Sequence, residues 1–250
     1  LRREALRRGG GVSTMLRGLT YHALLGLCLV MLPSQGWGAV AFIDEQHQDT
    51  AATTSFAFTA SIATGQAGVL VIGCASGLCA SLGVTDNGSN TWTAQAGASN
   101  GGAIATYTCV NATGNATTIT ITTTSQPLVA SLMRYSGVSA VGNTNNGTSA
   151  GSTNPTVTLT LQETGNYSVG GWTTNAEPGV VVAQNGTIRL NEFSSAQGST
   201  LNTSIDNTGS AGAITISSTH DNSTPWWIGA VELRAAAATR SSGMLLGVGP

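Results

Sequence analysis

Two histidines, His47 and His220, are the side chains best suited to proton transfer after the N-terminal region. His220 precedes Asp221 and follows two serines, which suggests a Ser-His-Asp relay. Neighbouring residues of a strand point to opposite faces, so His220 and Asp221 cannot form that relay locally. Glycosidases instead need two carboxyl groups roughly 5–10 Å apart. The later acids are scattered over turns and strand ends (Glu177, Glu192, Asp206, Asp221). We therefore expect no catalytic residues and no enzymatic activity.

Oxygen donors are concentrated in one turn at residues 86–90. Asp86, Asn87, Ser89 and Asn90 together offer the hard ligands that Ca²⁺ prefers. The same residue types also close turns by hydrogen bonds to the backbone. The turn is therefore a possible calcium site, the only cofactor that the sequence suggests. A second oxygen-rich turn, at residues 221–224, has the same two interpretations.

Four tryptophans follow the N-terminal region: Trp92, Trp172, Trp226 and Trp227. Exposed aromatic rings can stack against sugar faces, because both surfaces are apolar. Trp226 and Trp227 are neighbours on a predicted strand, so one should face the core and the other should face outward. Each of the four is a candidate ligand-binding residue, with core packing as the alternative.

The cysteine spacing predicts one disulfide. Cys74 and Cys79 flank a Ser-Gly turn between two apolar segments, so they can face each other across a hairpin. Cys109 is then left as a free thiol. No histidine has a spacing that would complete a metal site with these cysteines.

The N-terminal region, residues 1–41, is typical of a secretory signal with upstream residues. A basic start at Met15-Leu16-Arg17 leads into an apolar run from Leu19 to Leu32 that is short for a membrane span. Ala39-Val40-Ala41 then matches a small-x-small cleavage site, so we expect cleavage after Ala41. The alternative is an N-terminal membrane anchor. Cleavage predicts a secreted or cell-surface protein with no membrane segment left.

The expected mature chain carries four arginines, no lysine and ten acidic residues, a formal charge of −6. It has no basic cluster, so we expect no nucleic-acid partner. Thr, Ser, Asn and Gly take the place of the missing charges. Such a composition favours many short strands joined by tight turns.

Alternation of apolar residues with Thr or Ser predicts an all-β, antiparallel chain. The expected strands are 55–61, 68–74, 79–86, 91–96, 103–110, 117–123, 128–136, 156–162, 167–173, 179–183, 186–193, 200–206, 213–219 and 226–234. Residues 44–54 look like a polar lead-in and residues 139–154 like a connection. Asn185-Gly186 is the best two-residue hairpin signal.

A weak internal repeat of about 100 residues divides these strands into two blocks. Thr64-Gly65 recurs at Thr164-Gly165, and Arg134 recurs at Arg234. We expect one jelly-roll-like, two-sheet sandwich over residues 42–234, in which the two blocks share their sheets and one core. The alternative is two immunoglobulin-like sandwiches at 55–138 and 156–234. Residues 235–250 are expected to form a flexible tail.

Three segments carry a resemblance to known proteins. They are Val84-Thr85-Asp86-Asn87-Gly88-Ser89-Asn90-Thr91-Trp92, the later Tyr135-Ser136-Gly137, and a final strand that ends at Leu233-Arg234. Together they resemble secreted bacterial β-sandwich proteins of mostly unassigned function, whose pattern reads V-T-D-x-x-G-N-T-[WY] and then Y-S-G. Ser89 stands where that pattern has Gly, which puts the turn geometry in doubt. The resemblance implies a fold and no catalytic residues.

These observations favour a secreted or cell-surface, non-catalytic β-sandwich with a structural or adhesive role. A lectin-like, carbohydrate-binding module is the alternative, and a glycoside-active enzyme or a phage appendage component is a further one. The expected partners are glycans or other surface proteins.

Overall fold

The computed structural model describes residues 39–74, 79, 81–99, 103–174, 179–194 and 200–236. Most of the expected signal peptide, residues 1–38, therefore lies outside the described residues. The expected tail does so from residue 237 onward. Glu177, one of the scattered acids, also lies outside them.

The chain is all-β, and every strand pair is antiparallel, as the alternating pattern predicts. The described residues contain fourteen strands and a short 3-10 helix at Ala96–Ala98. The strands are β1 (Ala41–Phe58), β2 (Ala67–Cys74), β3 (Gly83–Asp86), β4 (Thr93–Ala94), β5 (Ile104–Cys109), β6 (Ile119–Ser136), β7 (Val138–Ser152), β8 (Thr156–Leu161), β9 (Tyr167–Thr174), β10 (Val181–Asn185), β11 (Thr187–Ser194), β12 (Thr200–Thr208), β13 (Gly212–His220) and β14 (Thr224–Ala235).

The strands form three sheets. Sheet I has the order β1-β6-β2-β5-β4, with β3 also beside β6. Sheet II has the order β11-β12-β9-β14-β7, and sheet III has the order β10-β13-β8. Sheet I uses only residues 41–136, the first half, whereas sheets II and III use only residues 138–235, the second half. The expectation that the two blocks share sheets is therefore wrong, because all described strand pairs lie within one half.

Sheets I and II share one pairing pattern. In each, the strand that comes first in the chain pairs with the last strand, and the last strand also pairs with the one that comes second in that sheet (β1-β6-β2 and β7-β14-β9). This second strand, β2 in sheet I and β9 in sheet II, follows a tight turn. Gly65 and Gly165 occupy these turns with φ of 83° and 89°, in the left-handed region that glycine tolerates best.

The two halves pack face to face through sheets I and II. Strand β6 lies on β12, β2 on β9, and β5 on β14. The core between the halves is apolar and includes Val69, Val71, Met133, Val169 and Val231. The opposite face of β2 packs into a core within the first half. Because β2 is buried on both faces, its sequence is a continuous apolar run instead of an alternating one.

Four local expectations are wrong. The lead-in at 44–54 is part of β1, and the connection at 139–154 is mostly β7. Both are outer strands of their sheets, where a strand buries less side-chain surface and polar residues are tolerated. Asn185-Gly186 does separate β10 from β11, but these strands belong to different sheets and form no hairpin. Ala235, expected in the tail, ends β14.

Candidate functional site

A shallow cleft of about 320 Å³ opens where the edges of the two halves meet. Thr91, Thr93 and Gln95 line it from the first half, and Ser139 and Val141 of β7 line it from the second. Five of the eight lining residues carry a hydroxyl or an amide, none is charged, and apolar atoms make up the larger part of the exposed lining. The volume lies at the lower end of the range typical of small-molecule sites. The cleft is the candidate functional site, and it suits a neutral, hydrogen-bonding ligand.

The Gln95 amide is held against the wall of the cleft. Its Nε2 donates a 2.7 Å hydrogen bond to Oγ1 of Thr108, another lining residue on β5. The neighbouring 3-10 helix closes that end, where the backbone oxygen of Gly97 accepts a 3.1 Å bond from Nδ2 of Asn146 on β7. The first contact stiffens the first-half wall, and the second joins that half to β7.

The turn at residues 86–90 positions the first-half wall. Asp86 Oδ1 accepts hydrogen bonds from the backbone nitrogens of Gly88 (2.9 Å) and Asn90 (3.0 Å). Asp86 Oδ2 accepts from Nδ2 of Asn90 (2.9 Å) and from Nε1 of Trp92 (2.8 Å). One carboxylate thus ties the turn to the indole that lies between the cleft residues Thr91 and Thr93.

The same turn was the possible calcium site, and its oxygens serve another purpose. Oδ1 of Asn90 accepts from the backbone nitrogens of Thr113 and Gly114, each within 2.9 Å. Oδ1 of Asn87 accepts from the backbone nitrogens of residues 117 and 118. Because these oxygens point at N–H donors, they do not converge on a cation. These bonds favour the alternative, a hydrogen-bonded turn, over the calcium site.

Against the effect of burial, the same hydrogen bonds lower the pKa of Asp86 and so favour its charged form. Burial would raise the pKa of this carboxyl, but the bonds from Asn90, Trp92 and Gly88 outweigh it, and the pKa is lowered from 3.8. Ser89, where the resembling proteins have Gly, adopts a φ of 57°. This left-handed conformation costs a non-glycine residue roughly 1–2 kcal/mol.

The four candidate tryptophans do not form a stacking platform. Trp172 is completely buried, and Trp226 is 6% exposed in the same second-half core. Trp227 is half-buried against the core between the halves. Trp92 is half-buried against the first-half core, with its indole nitrogen bonded to Asp86. For Trp172 and Trp226 the expectation of ligand contact is wrong, because their faces are covered by the protein itself.

Cys74 and Cys79 form a disulfide with a Cα–Cα distance of 5.5 Å, as their spacing predicts. Cys109 is a free, buried thiol. Burial is the main cause that raises the pKa of Cys109 to about 11, so the thiol stays protonated at neutral pH.

The histidines do not assemble a relay among the described residues. His220 is buried and stacks on Trp172 with ring centroids 5.2 Å apart. His47 lies at the other edge of the halves, where Nδ1 is 3.2 Å from Glu45 Oε2 and Nε2 is 4.0 Å from Glu192 Oε2. The nearby hydroxyl of Ser131 donates to Glu45 and not to His47, and Ser131 is completely buried, out of reach of a substrate.

The pattern Gly-x-Ser-x-Gly occurs twice, at Ser99 and Ser149. In hydrolases this serine lies on a sharp turn from a strand into a helix. Here Ser99 follows the 3-10 helix and donates to the backbone oxygen of Gln95, and Ser149 lies within β7. Neither serine has the placement of a catalytic nucleophile.

Two buried carboxylates are structural centres that sequence reasoning missed. Glu232 is completely buried and accepts three hydrogen bonds, from Gln162 N (2.6 Å), Asn166 Nδ2 (2.6 Å) and Asn143 N (2.9 Å). Asp206 is 2% exposed and accepts from Tyr135 of the first half and from Arg189. The sequence did contain a signal for them: each acid lies within a predicted strand, next to a large apolar residue, and not in a turn.

Comparison with known proteins gives no match, whether with family models, curated proteins or solved structures. No helix among the described residues is long and apolar enough to cross a membrane. In the same part of the chain, no three His, Cys, Asp or Glu side chains come together as a metal-binding group.

Proposed function

We propose that this protein is an exported, non-catalytic β-sandwich with a structural or adhesive role at the cell surface or outside the cell. The proposal rests on one observation: the carboxylates with the most hydrogen bonds use them to hold the fold together, and none of them is arranged for catalysis. Asp206 and Glu232 are buried and accept hydrogen bonds from distant parts of the chain, and Asp86 accepts four from residues 88–92. Carboxylates that are satisfied in this way hold a scaffold in one conformation. The sequence motifs that resemble those of secreted bacterial β-sandwich proteins are consistent with this proposal.

The surface supports an adhesive role more than a catalytic one. Exposed strand residues are mainly Thr, Ser, Asn and Gln, as on β8, which alternates exposed threonines with buried apolar residues. Polar, weakly charged strand faces offer many hydrogen-bonding groups to another protein surface or to a glycan. The proposed partners are therefore surface proteins or glycans.

Expression in a bacterial host with the complete N-terminal region tests this proposal. The expected result is a processed protein outside the cell or on its surface, together with increased cell attachment. The control is the same chain starting at Phe42, which lacks the signal and should remain inside without affecting attachment. A processed protein that leaves attachment unchanged, or that hydrolyses glycosides, contradicts the proposal.

Carbohydrate binding is the second candidate function, and the uncharged cleft favours it. A glycan array with the purified protein tests it, with Gln95→Ala as the variant inside the cleft. Gln184→Ala is the matched control, since Gln184 is exposed on β10 and bonds only Thr219. Binding that Gln95→Ala removes and Gln184→Ala retains would support a sugar site. Absence of binding by the wild-type protein would exclude the sugars tested.

A further inference from the structure

Strand β10 leaves one of its edges unpaired. It is the outermost strand of sheet III, with β13 on one side and no strand on the other among the described residues. An outer strand presents backbone N–H and C=O groups that can pair with another strand. The edge of β10 is therefore able to accept a partner strand.

Exposed apolar residues accompany this edge. Val180, just before β10, is 64% exposed, and Val182 within it is 52% exposed. Val181 between them faces the opposite way and packs against the second-half core. Among the described residues the only other exposed large apolar side chain is Ile43. Two of these three side chains thus lie on one surface beside the unpaired edge.

Three outer strands of sheets I and II, β1, β4 and β11, are protected in ways that β10 is not, and the fourth, β7, is uncharged but lies against β8. Strand β1 carries three acids, and β11 carries Arg189 and Glu192. Charged residues on outer strands oppose pairing with another strand. Strand β4 has only two residues, which is too short to template a sheet.

The other outer strand of sheet III, β8, is covered from within the chain. Nδ2 of Asn143 donates to the backbone oxygen of Thr160 (2.5 Å), and Nδ2 of Asn145 donates to that of Thr158 (2.8 Å). These side chains come from β7 and occupy the carbonyl groups that a further strand would use. As far as the described residues show, β10 is the one open edge of sheet III.

We propose that β10 pairs with β10 of a second copy of this chain. The strand is Val-Val-Ala-Gln-Asn and contains no charged residue, so two copies can lie side by side without repulsion. Antiparallel pairing would join the two three-stranded sheets into one sheet of six strands and cover Val180 and Val182. The contact is the same on both copies, so it closes at a dimer. The inference depends only on this edge and stands apart from the proposed export and adhesion.

Sedimentation of the purified chain from Ala39 onward, which keeps the buried Val40, tests the proposal from about 1 µM to about 1 mM, over the range of weak to moderate affinities. The wild-type protein is expected to form a dimer as its concentration rises. Val182→Lys places a charge on the edge and should leave a monomer throughout. Ile43→Lys is the matched control, since Ile43 is exposed on a strand that already carries charges, and it should dimerise like wild type.

A second, more conservative variant is needed because Val182→Lys could also unfold the protein. Val182→Thr keeps a β-branched side chain that suits a strand, and it should weaken the dimer without changing the melting temperature by more than a few degrees. A wild-type protein that stays monomeric at the highest concentration would overturn the proposal. So would a dimer that survives Val182→Lys, a dimer that Ile43→Lys abolishes equally, or growth into larger polymers.

Discussion

The hydroxyl of Tyr135 in the first half donates a 2.9 Å hydrogen bond to Oδ2 of Asp206 in the second half. The tyrosine is completely buried and the aspartate is 2% exposed. Arg189 donates to the same oxygen at 2.9 Å, and its guanidinium carbon lies 3.8 Å from the centre of the Phe42 ring. A buried carboxylate is stable only with such donors. The bond therefore joins the halves at one polar point beside an apolar core.

Tyr135→Phe should lower the free energy of unfolding by about 1.5–3 kcal/mol, the usual range for a hydrogen bond to a charged group. The ring remains and keeps its packing, so the loss reports the hydroxyl alone. Urea unfolding followed by circular dichroism measures it. Tyr107→Phe is the control, because that hydroxyl donates to the neutral backbone oxygen of Leu82 within the first half. Its loss should be smaller, about 0.5–1.5 kcal/mol. Equal losses of unfolding free energy in the two variants would mean that the bond to the Asp206 carboxylate stabilises the fold no more than a bond to a neutral carbonyl.

Separating the two halves should prevent both from folding. Gly137, with a φ of 72°, is the only residue between β6 and β7, so the chain is best divided there. Each half alone would expose its side of the core between the halves, including Val69 in one and Val231 in the other. We expect no cooperative melting transition from either fragment and recovery of one transition when they are mixed. Two separate cooperative transitions would instead establish two independent sandwiches.

Acidification below neutral pH should destabilise the protein through His220. Burial lowers the pKa of His220 below its ordinary value of 6.5, although the Asn222 backbone and the Asp221 carboxylate oppose the shift. Between the two pKa values the unfolded chain binds the proton and the folded chain does not. The contribution of the neutral His220 to stability is therefore fully present above about pH 6.5. It falls as the pH is lowered from there to the folded-state pKa.

Melting temperatures between pH 8 and pH 5 measure this effect of His220. His220→Phe keeps a ring beside Trp172 and should flatten the dependence on pH in this range. A slope that His220→Phe leaves intact would assign the effect to other groups.

Sequence patterns were sufficient for the strands that alternate and insufficient for β1 and β7, whose outer positions tolerate polar residues throughout. Strand β8 alternates threonine with buried apolar residues, so its position followed from the sequence. Strand β7 has few large apolar residues, because it is an outer strand whose polar side chains bond β8 and the 3-10 helix. Nothing in its composition separates such a strand from a loop.

The candidate site was predictable only in part. Asp86 and Trp92 stood out by spacing, and the structure brings them together at 2.8 Å. The wall formed by Ser139 and Val141 comes from the other half, about fifty residues later. A contact between two halves depends on how their sheets stack, and local sequence does not encode that stacking.

The expected cleavage site makes a prediction about stability, because Val40 is part of the core between the halves. Val40 is only 3% exposed, and cleavage after Ala41 would remove it. A chain that starts at Phe42 should be less stable than one that starts at Ala39 by about 1.5–3 kcal/mol, the value of burying one such side chain. Mass spectrometry of exported protein gives the true start, and urea unfolding compares the two chains. Equal stability would show that Val40 adds nothing to the core.

Asp86→Asn should destabilise the wall of the cleft, because an amide replaces one of the two oxygens that together accept four N–H bonds. An amide nitrogen would then face a donor, at a cost of about 1–3 kcal/mol. Asp221→Asn is the control, since that exposed carboxylate accepts a 3.2 Å bond from the backbone of Val180. It should cost less than about 0.5 kcal/mol.

Two further measurements identify the role of the Asp86 carboxylate. Its lowered pKa means that its contribution is complete above about pH 3.8 and is lost as the pH falls through the folded-state value. Asp86→Asn should therefore be less sensitive than wild type to acid in that range. Calcium or a chelator should leave the wild-type melting temperature unchanged, because the oxygens of Asp86 and Asn90 already bind N–H donors. A rise in melting temperature with calcium that Asp86→Asn abolishes would return the turn to its first interpretation as a cation site.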